Sequence, residues 1–161
     1  MIFVTVGTHE QPFDRLVKAI DELVADGKLE DEVFIQAGYC TYEPRHCEWV
    51  RFVPTLEMRE RMEAADAVVT HGGPSSFIEA MAAGKVPIVV PRRVEYGEHV
   101  NNHQVEFVRL VAERQGGIVP VYEMDTLHSA LDKVRHTPQG SAFQSHNLEF
   151  CTRLRELITS I

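Results

Sequence analysis

The chain has 161 residues, 44% of them hydrophobic, and a formal net charge of −8 at pH 7. This length fits one domain with a sizeable core, and the negative charge argues against a general nucleic-acid binder. No apolar run is long enough to cross a bilayer. Cys40, Cys47 and Cys151 cannot all pair within one chain, and Met1 leads into a strand without a signal peptide. Both features predict a cytoplasmic protein.

Strand and helix patterns alternate along the chain. Short runs rich in β-branched residues predict strands at Ile2 to Val6, Val33 to Ala37, Val50 to Val53, Ala67 to Thr70, Val86 to Val90 and Ile118 to Val121. Helical spacing predicts helices at Asp14 to Val24, Met58 to Ala65, Ser75 to Ala83, Asn101 to Ala112, Asp125 or Thr126 to about Arg135, and about 141–161. The polar segments 39–48 and 92–98 are predicted loops. The alternation predicts a Rossmann-like, doubly wound α/β fold with a mostly parallel sheet and ligands at its carboxyl edge.

The segment 71–76, His-Gly-Gly-Pro-Ser-Ser, follows the fourth predicted strand. Its glycines allow a sharp turn and close approach of a ligand, and Pro74 suits the first position of a helix. Free N–H groups at the helix start and the hydroxyls of Ser75 and Ser76 predict an anion site. Glu79 lies one turn further on, where a carboxylate can accept both hydroxyls of a ribose. The segment therefore predicts a nucleotide site, although an ordinary capped helix has the same pattern.

Two more loops are predicted at the same edge of the sheet. Gly7-Thr8-His9 follows the first strand, and a polar segment at 95–104 follows the fifth. The histidines here match no usual zinc spacing, so no metal site is predicted. Arg92 and Arg93 permit three interpretations: neutralising a diphosphate, contacting a partner, or belonging to a solvated loop.

These motifs together resemble a known family. The stretch from Ala65 to Pro91, followed by Asn102-His103-Gln104, resembles the donor-binding carboxyl-terminal half of GT-B glycosyltransferases of family 28. The opening Met1 to Thr8 is similar to a single-domain subfamily. That subfamily includes the catalytic subunit of dolichol-linked N-acetylglucosaminyltransferase and bacterial exopolysaccharide and capsule glycosyltransferase subunits. The resemblance runs from Met1 to about Val111.

The resemblance implies a site for a UDP-sugar. The residues implied at the diphosphate are Gly7, Thr8, His71, Gly72, Gly73, Ser75 and Ser76. Glu79 is implied at the ribose, and Asn102, His103 and Gln104 are implied at the donor sugar. Pro74 departs from the small residue that relatives often carry and removes one backbone donor, so phosphate binding is expected to rest more on the two serines.

The resemblance also implies a function. Residues 1–161 are expected to form one nucleotide-sugar-binding domain of an inverting, UDP-sugar-dependent glycosyltransferase that needs no cofactor. It would transfer a sugar to a lipid-linked saccharide in exopolysaccharide biosynthesis. A membrane-associated partner subunit would bind the acceptor and recruit the chain to the inner face of the membrane.

Other functions remain open from the sequence. One is a non-catalytic nucleotide-sugar-binding or enhancer subunit of such a complex. Another is a complete enzyme acting as a homodimer, although nothing in the sequence resembles an acceptor domain. A Rossmann-type redox protein is disfavoured because the first turn lacks the full Gly-x-Gly-x-x-Gly pattern. N-acetylglucosamine, galactose, glucose and glucuronate donors all fit the motifs.

Overall fold

The structure, a computed structural model, describes residues 1–136 and Thr152. In this part of the chain, six strands form one sheet in which every neighbouring pair is parallel. The strands are β1 (Ile2–Thr5), β2 (Val33–Gln36), β3 (Glu48–Val50), β4 (Ala67–His71), β5 (Ile88–Val90) and β6 (Val119–Pro120). Their order is β3-β2-β1-β4-β5-β6. Because the order reverses between β1 and β4, the carboxyl ends of these two strands border the crevice where such sheets bind ligands.

Helices cover both faces of the sheet. They are α1 (Asp14–Ala25), α2 (Thr55–Ala64), α3 (Pro74–Ala82), α4 (His103–Arg114) and α5 (Leu127–His136), with short 3₁₀ helices at Val94–Tyr96 and Met124–Thr126. Side chains alternate between the faces of a strand. Ile2 and Val4 therefore pack with α1 and α5, Phe3 packs towards α2 and α3, and Val89 packs with α3 and α4. The predicted α/β fold with a parallel sheet is confirmed.

The third strand and the second helix differ from their predicted bounds. β3 is an edge strand that begins at the exposed Glu48, and its register is set by pairing of Phe34 with Glu48. The apolar pattern therefore predicted the strand two residues too late. α2 begins at Thr55, three residues before the prediction. Its first turn carries charge instead of an apolar stripe, and Glu57 pairs there with Arg61 at 2.7 Å.

Two further predictions concern the terminal helix and membrane spans. The helix predicted at 141–161 lies outside the described residues, apart from Thr152. Within residues 1–136, no helix has the length and apolar character needed to span a membrane.

Candidate functional site

The carboxyl edge of the sheet brings together the three loops that the sequence predicts there. They follow β1, β4 and β5. Two cavities open at this edge, and Gln104 contributes to the walls of both. Their volumes, about 360 and 630 Å³, fall in the range of small-molecule sites.

The smaller cavity lies beside the start of α3. Seven predicted site residues line it: Gly7, Thr8, His71, Ser75, Ser76, Glu79 and Gln104. Its other walls come from Thr5, His9, Gln36, Met58 and Met62. The cavity is therefore polar near the strand ends and apolar towards α2.

The larger cavity lies between the start of α3 and α4. Four predicted site residues line it: Gly72, Gly73, His103 and Gln104. Its other walls come from Pro74, His99, Glu106, Phe107 and Leu110. Asn102 is not among the residues that line either cavity. Its Oδ1 instead accepts the Val94 N–H at 3.0 Å and so supports the loop after β5.

His71 ends β4 and is 9% exposed. Its Nδ1 accepts the Gly73 N–H at 2.9 Å, and its Nε2 lies 3.0 Å from Ser76 Oγ. Because Nδ1 accepts, the neutral ring carries its proton on Nε2 and donates it to Ser76. The hydroxyl hydrogen of Ser76 is then left to donate to a ligand in the smaller cavity.

The His71 ring is uncharged in the folded protein at neutral pH. Burial lowers its pKa to about 3, and the positive charge of Arg92 acts in the same direction. His71 therefore contributes to the site by orienting donors and does not bring a positive charge.

Gly7 and Gly73 hold the His71 ring between them. A Cβ at Gly7 would lie 2.3 Å from His71 Nε2, and a Cβ at Gly73 would lie 2.1 Å from His71 Cε1. Gly73 has φ −72° and ψ 129°, which any residue can adopt. Glycine is required at this position by the approach of the ring and not by the turn. The structure differs here from the sequence-based interpretation, in which the glycines leave room for the ligand.

Few backbone donors remain at the start of α3. Pro74 is the first residue of the helix and has no N–H, His71 takes the N–H of Gly73, and the Ser76 N–H reaches the Gly73 carbonyl at 3.3 Å. The Ser75 N–H lies in the first turn, where a helix offers no acceptor. This amide and the two serine hydroxyls are the groups in the turn that can hold an anion.

The loop after β1 is held in place by Gln36, which is buried at the end of β2. Its Nε2 donates to the carbonyls of Gly7 and Arg51 at 3.2 and 3.0 Å, and its Oε1 accepts from Thr5 Oγ1. Gly7 itself has φ 76°, a conformation that favours glycine. Sequence reasoning missed Gln36. The available signal was a polar residue ending an otherwise apolar buried strand.

Arg92 connects the loop after β1, the loop after β5 and Gln104, and it is fully buried. Its guanidinium donates to the carbonyls of Val6, Gln11 and Glu98 at 2.8, 2.7 and 3.0 Å. Its backbone N–H donates to Gln104 Oε1 at 3.0 Å. Arg92 therefore fixes the loop after β1, the loop after β5 and the side chain shared by the two cavities.

Within residues 1–136, the guanidinium of Arg92 forms no close ion pair, although the charge of Glu98 acts on it from a greater distance. Among residues 1–136 no carboxylate lies within 4.0 Å of its guanidinium nitrogens, because Glu98 pairs with Arg15 at 2.8 Å. Arg93 pairs instead with Glu123 at 2.9 Å. Of the interpretations left open by the sequence, a solvated loop is wrong for Arg92, since its side chain is buried.

Two histidines to which the sequence analysis assigned no role also line the site. His9 lines the smaller cavity and His99 the larger one. Their rings lie 4.8 Å apart between centroids. The signal that could have found them was their position in two of the loops predicted at this edge.

Residues 1–158 match the glycosyltransferase family 28 C-terminal domain, and the chain therefore belongs to this family. UDP-N-acetylglucosamine transferase subunit ALG13 from Homo sapiens is 28% identical over 117 residues. The aligned part covers 67% of this chain and 10% of the human protein. The family assignment made from the sequence is confirmed.

Solved glycosyltransferases have the same fold. The glycotransferase of kitacinnamycin is 22% identical with a TM-score of 0.65, and SnogD from Streptomyces nogalater is 20% identical with a TM-score of 0.61. Each match covers 96% of this chain and 39% of the other. MurG from Acinetobacter baumannii is 17% identical with a TM-score of 0.50, covering 98% of this chain and 49% of the other. The chain thus spans less than half of these proteins and has the Rossmann-like fold predicted for the donor half of a GT-B glycosyltransferase.

Proposed function

We propose that this chain is the donor-binding, catalytic subunit of an inverting glycosyltransferase that uses a UDP-sugar. The observation that carries the proposal is the smaller cavity. It places the hydroxyls of Ser75 and Ser76 at the start of α3 and the carboxylate of Glu79 one turn further along the same helix. Donors for a diphosphate and an acceptor for a ribose therefore share one wall. The proposal treats residues 1–161 as one nucleotide-sugar-binding domain.

The two cavities suggest how the donor lies. With the ribose at Glu79, the base lies against the apolar wall formed by Met58 and Met62. The diphosphate then lies at the serines, and the sugar extends past Gln104 into the larger cavity, where His103 stands at the wall. Asn102 supports the sugar-binding segment through its bond to the loop after β5.

The chemistry follows from these positions. An acceptor hydroxyl attacks the anomeric carbon on the face opposite the diphosphate, and the bond between that carbon and the diphosphate oxygen breaks. The electron pair leaves with UDP, so negative charge develops where the serine donors already point. The buried charge of Arg92 lies behind the same loops and acts in the same direction. The proton of the acceptor goes to a base on the partner.

One finding supports a partner subunit, because the human relative is by name a subunit. We propose that a membrane-associated subunit binds a lipid-linked saccharide, supplies the base and holds this chain at the inner face of the membrane. Exopolysaccharide biosynthesis is the process that this arrangement suits.

Thermal unfolding of the purified chain tests the donor site. The ligands are UDP, UDP-N-acetylglucosamine, UDP-galactose, UDP-glucuronate and NAD, at equal excess. A ligand at about a hundred times its Kd stabilises the folded state by roughly 2.7 kcal/mol. We expect UDP compounds, and not NAD, to raise the midpoint, and the ranking of the sugars indicates the substrate. A shift by NAD alone would contradict the proposal and favour a redox protein.

Sugar transfer measured with the partner separates a catalytic subunit from an enhancer subunit. Glu79→Ala is expected to lower kcat/KM about tenfold or more because it removes the acceptor for the ribose hydroxyls. Glu113→Ala is the matched control, since Glu113 is exposed in α4. Unchanged transfer in Glu79→Ala would show that the nucleotide site of this chain does not carry the reaction.

A further inference from the structure

The rings of His9 and His99 meet where the two cavities adjoin. His9 comes from the loop after β1 and lines the smaller cavity, whereas His99 comes from the loop after β5 and lines the larger cavity. The centroids are 4.8 Å apart and the ring planes are tilted by 37°. Both side chains are half-buried. The pair therefore stands beside the passage that a ligand occupying both cavities must take.

Each ring has one nitrogen already occupied by its own loop. His9 Nδ1 accepts the Gln11 N–H at 3.1 Å, and His99 Nδ1 accepts the Asn101 N–H at 3.4 Å. The neutral rings consequently carry their protons on Nε2. Among residues 1–136 the hydrogen bonds of both rings involve Nδ1, so each Nε2–H is a donor without a protein acceptor.

The surroundings of the pair favour an anion over a cation. The buried Arg92 bonds the carbonyls of Gln11 and Glu98, which lie close to His9 and His99 in the same two loops. Burial, followed by the charges of Arg92 and His99, lowers the pKa of His9 and outweighs the opposite effect of Glu10. The group that completes this arrangement is an acceptor with negative charge.

We propose that the His9–His99 pair binds the diphosphate of the donor, with His9 Nε2 donating to its outer phosphate and His99 holding the His9 ring through their ring contact. This inference rests on the proposed nucleotide site. It adds one donor to those of the α3 serines and places it at the phosphate that bears the sugar. The pair is then a binding and leaving-group-stabilising element of the reaction.

Calorimetric titration with UDP and with UMP tests the proposal, because UMP lacks the outer phosphate. His9→Phe keeps a ring that can contact His99 but has no N–H, and His9→Gln restores an N–H donor. The matched control is His128→Gln in α5, since His128 bonds the Lys28 carbonyl and lines neither cavity. Circular dichroism checks that each variant is folded.

We expect His9→Phe to weaken UDP binding by about tenfold and UMP binding by less than twofold, as loss of a hydrogen bond to a charged group implies. His9→Gln is expected to recover most of the UDP affinity, and the control to leave both affinities unchanged. Equal affinities of His9→Phe and the wild type for UDP would overturn this inference and leave the nucleotide site standing. An equal loss for UMP would also overturn it. Failure of the wild type to bind UDP would instead overturn the proposed function, and this inference with it.

Discussion

Two sets of loops leave the carboxyl edge of the sheet, and they are held by opposite charges. The loop between β2 and β3 is held by the buried carboxylate of Asp21, which accepts the N–H groups of Arg45 and His46 and the hydroxyl of Tyr42 at 2.7 to 3.1 Å. The loops after β1 and β5 are held by the guanidinium of Arg92, which donates to the carbonyls of Val6, Gln11 and Glu98.

The difference decides which loops can bind an anion. A carboxylate accepts hydrogen bonds from amides, so the loop that it holds has fewer free N–H donors and lies close to a negative charge. A guanidinium donates to carbonyl oxygens, so the N–H groups and side-chain donors of the loops that it holds stay available to a ligand. These loops also lie close to a positive charge. The proposed diphosphate site includes residues of the loops held by the guanidinium.

Arg92→Met removes the cation that holds the site. Three carbonyls, two of them in buried residues, lose their donor, and we expect the free energy of unfolding to fall by about 4 kcal/mol. Urea unfolding followed by circular dichroism measures the loss. Arg59→Met is the control, because Arg59 forms an exposed pair with Glu63 and should cost about 0.5 kcal/mol. A loss for Arg92→Met no larger than that of the control would mean that Arg92 does not hold these loops.

Gly73→Ala introduces a Cβ against the His71 ring. We expect a loss of about 3 kcal/mol, because the ring is enclosed and has no room to move. Gly72→Ala is the matched variant, and its Cβ would lie 3.0 Å from the Gln104 side chain and 3.1 Å from the Pro91 Cα. Both distances are longer than the 2.1 Å approach of a Gly73 Cβ to the His71 ring, so a smaller loss is expected. Equal losses in urea unfolding would refute a special role for the ring.

Asp21→Asn tests the loop between β2 and β3, which is held by a carboxylate. Burial alone would raise the pKa of Asp21, but hydrogen bonds from Arg45, His46 and Tyr42 lower it to about 2. A folded-state pKa below the unfolded value stabilises the protein above about pH 4, and this stabilisation is lost as the pH falls towards 2. We expect Asp21→Asn to cost about 2.5 kcal/mol at pH 7.

The same variant should leave UDP affinity unchanged, because Asp21 holds a loop outside the proposed site. Glu22→Gln is its control, since Glu22 is exposed in the same helix. A parallel loss of stability and UDP affinity in Asp21→Asn would erase the functional difference between the two sets of loops.

His71 gives the smallest expected effect, visible between pH 7 and 5. Its folded-state pKa of about 3 lies below the unfolded value of 6.5, so the unfolded chain takes up a proton first as the pH falls. This one residue is expected to lower the free energy of unfolding by about 2 kcal/mol between pH 7 and 5. Urea unfolding of the wild type and His71→Gln at both values measures it. Parallel profiles would show that His71 titrates normally.

Local patterns were sufficient to predict that the chain forms a parallel sheet and that three polar or glycine-rich loops share one edge of it. β1, β2 and β4 are apolar runs buried on both faces, and glycine or polar residues follow each of them. Burial of such runs and the conformational demands of turns are properties of neighbouring residues, so they are visible in the sequence. The edge strand β3 and the charged helix α2 were misplaced because neither has a continuous apolar pattern.

The arrangement inside the site depends on contacts between distant residues. Arg92 bonds the carbonyls of Val6 and Gln11, which lie 86 and 81 positions away, and His9 meets a histidine of the loop after β5. From the sequence, an arginine after a strand can be solvated or can be buried and hydrogen-bonded to neighbouring loops. The tertiary structure decides between these two states, because the packing of the loops removes Arg92 from water and leaves carbonyl oxygens as its partners.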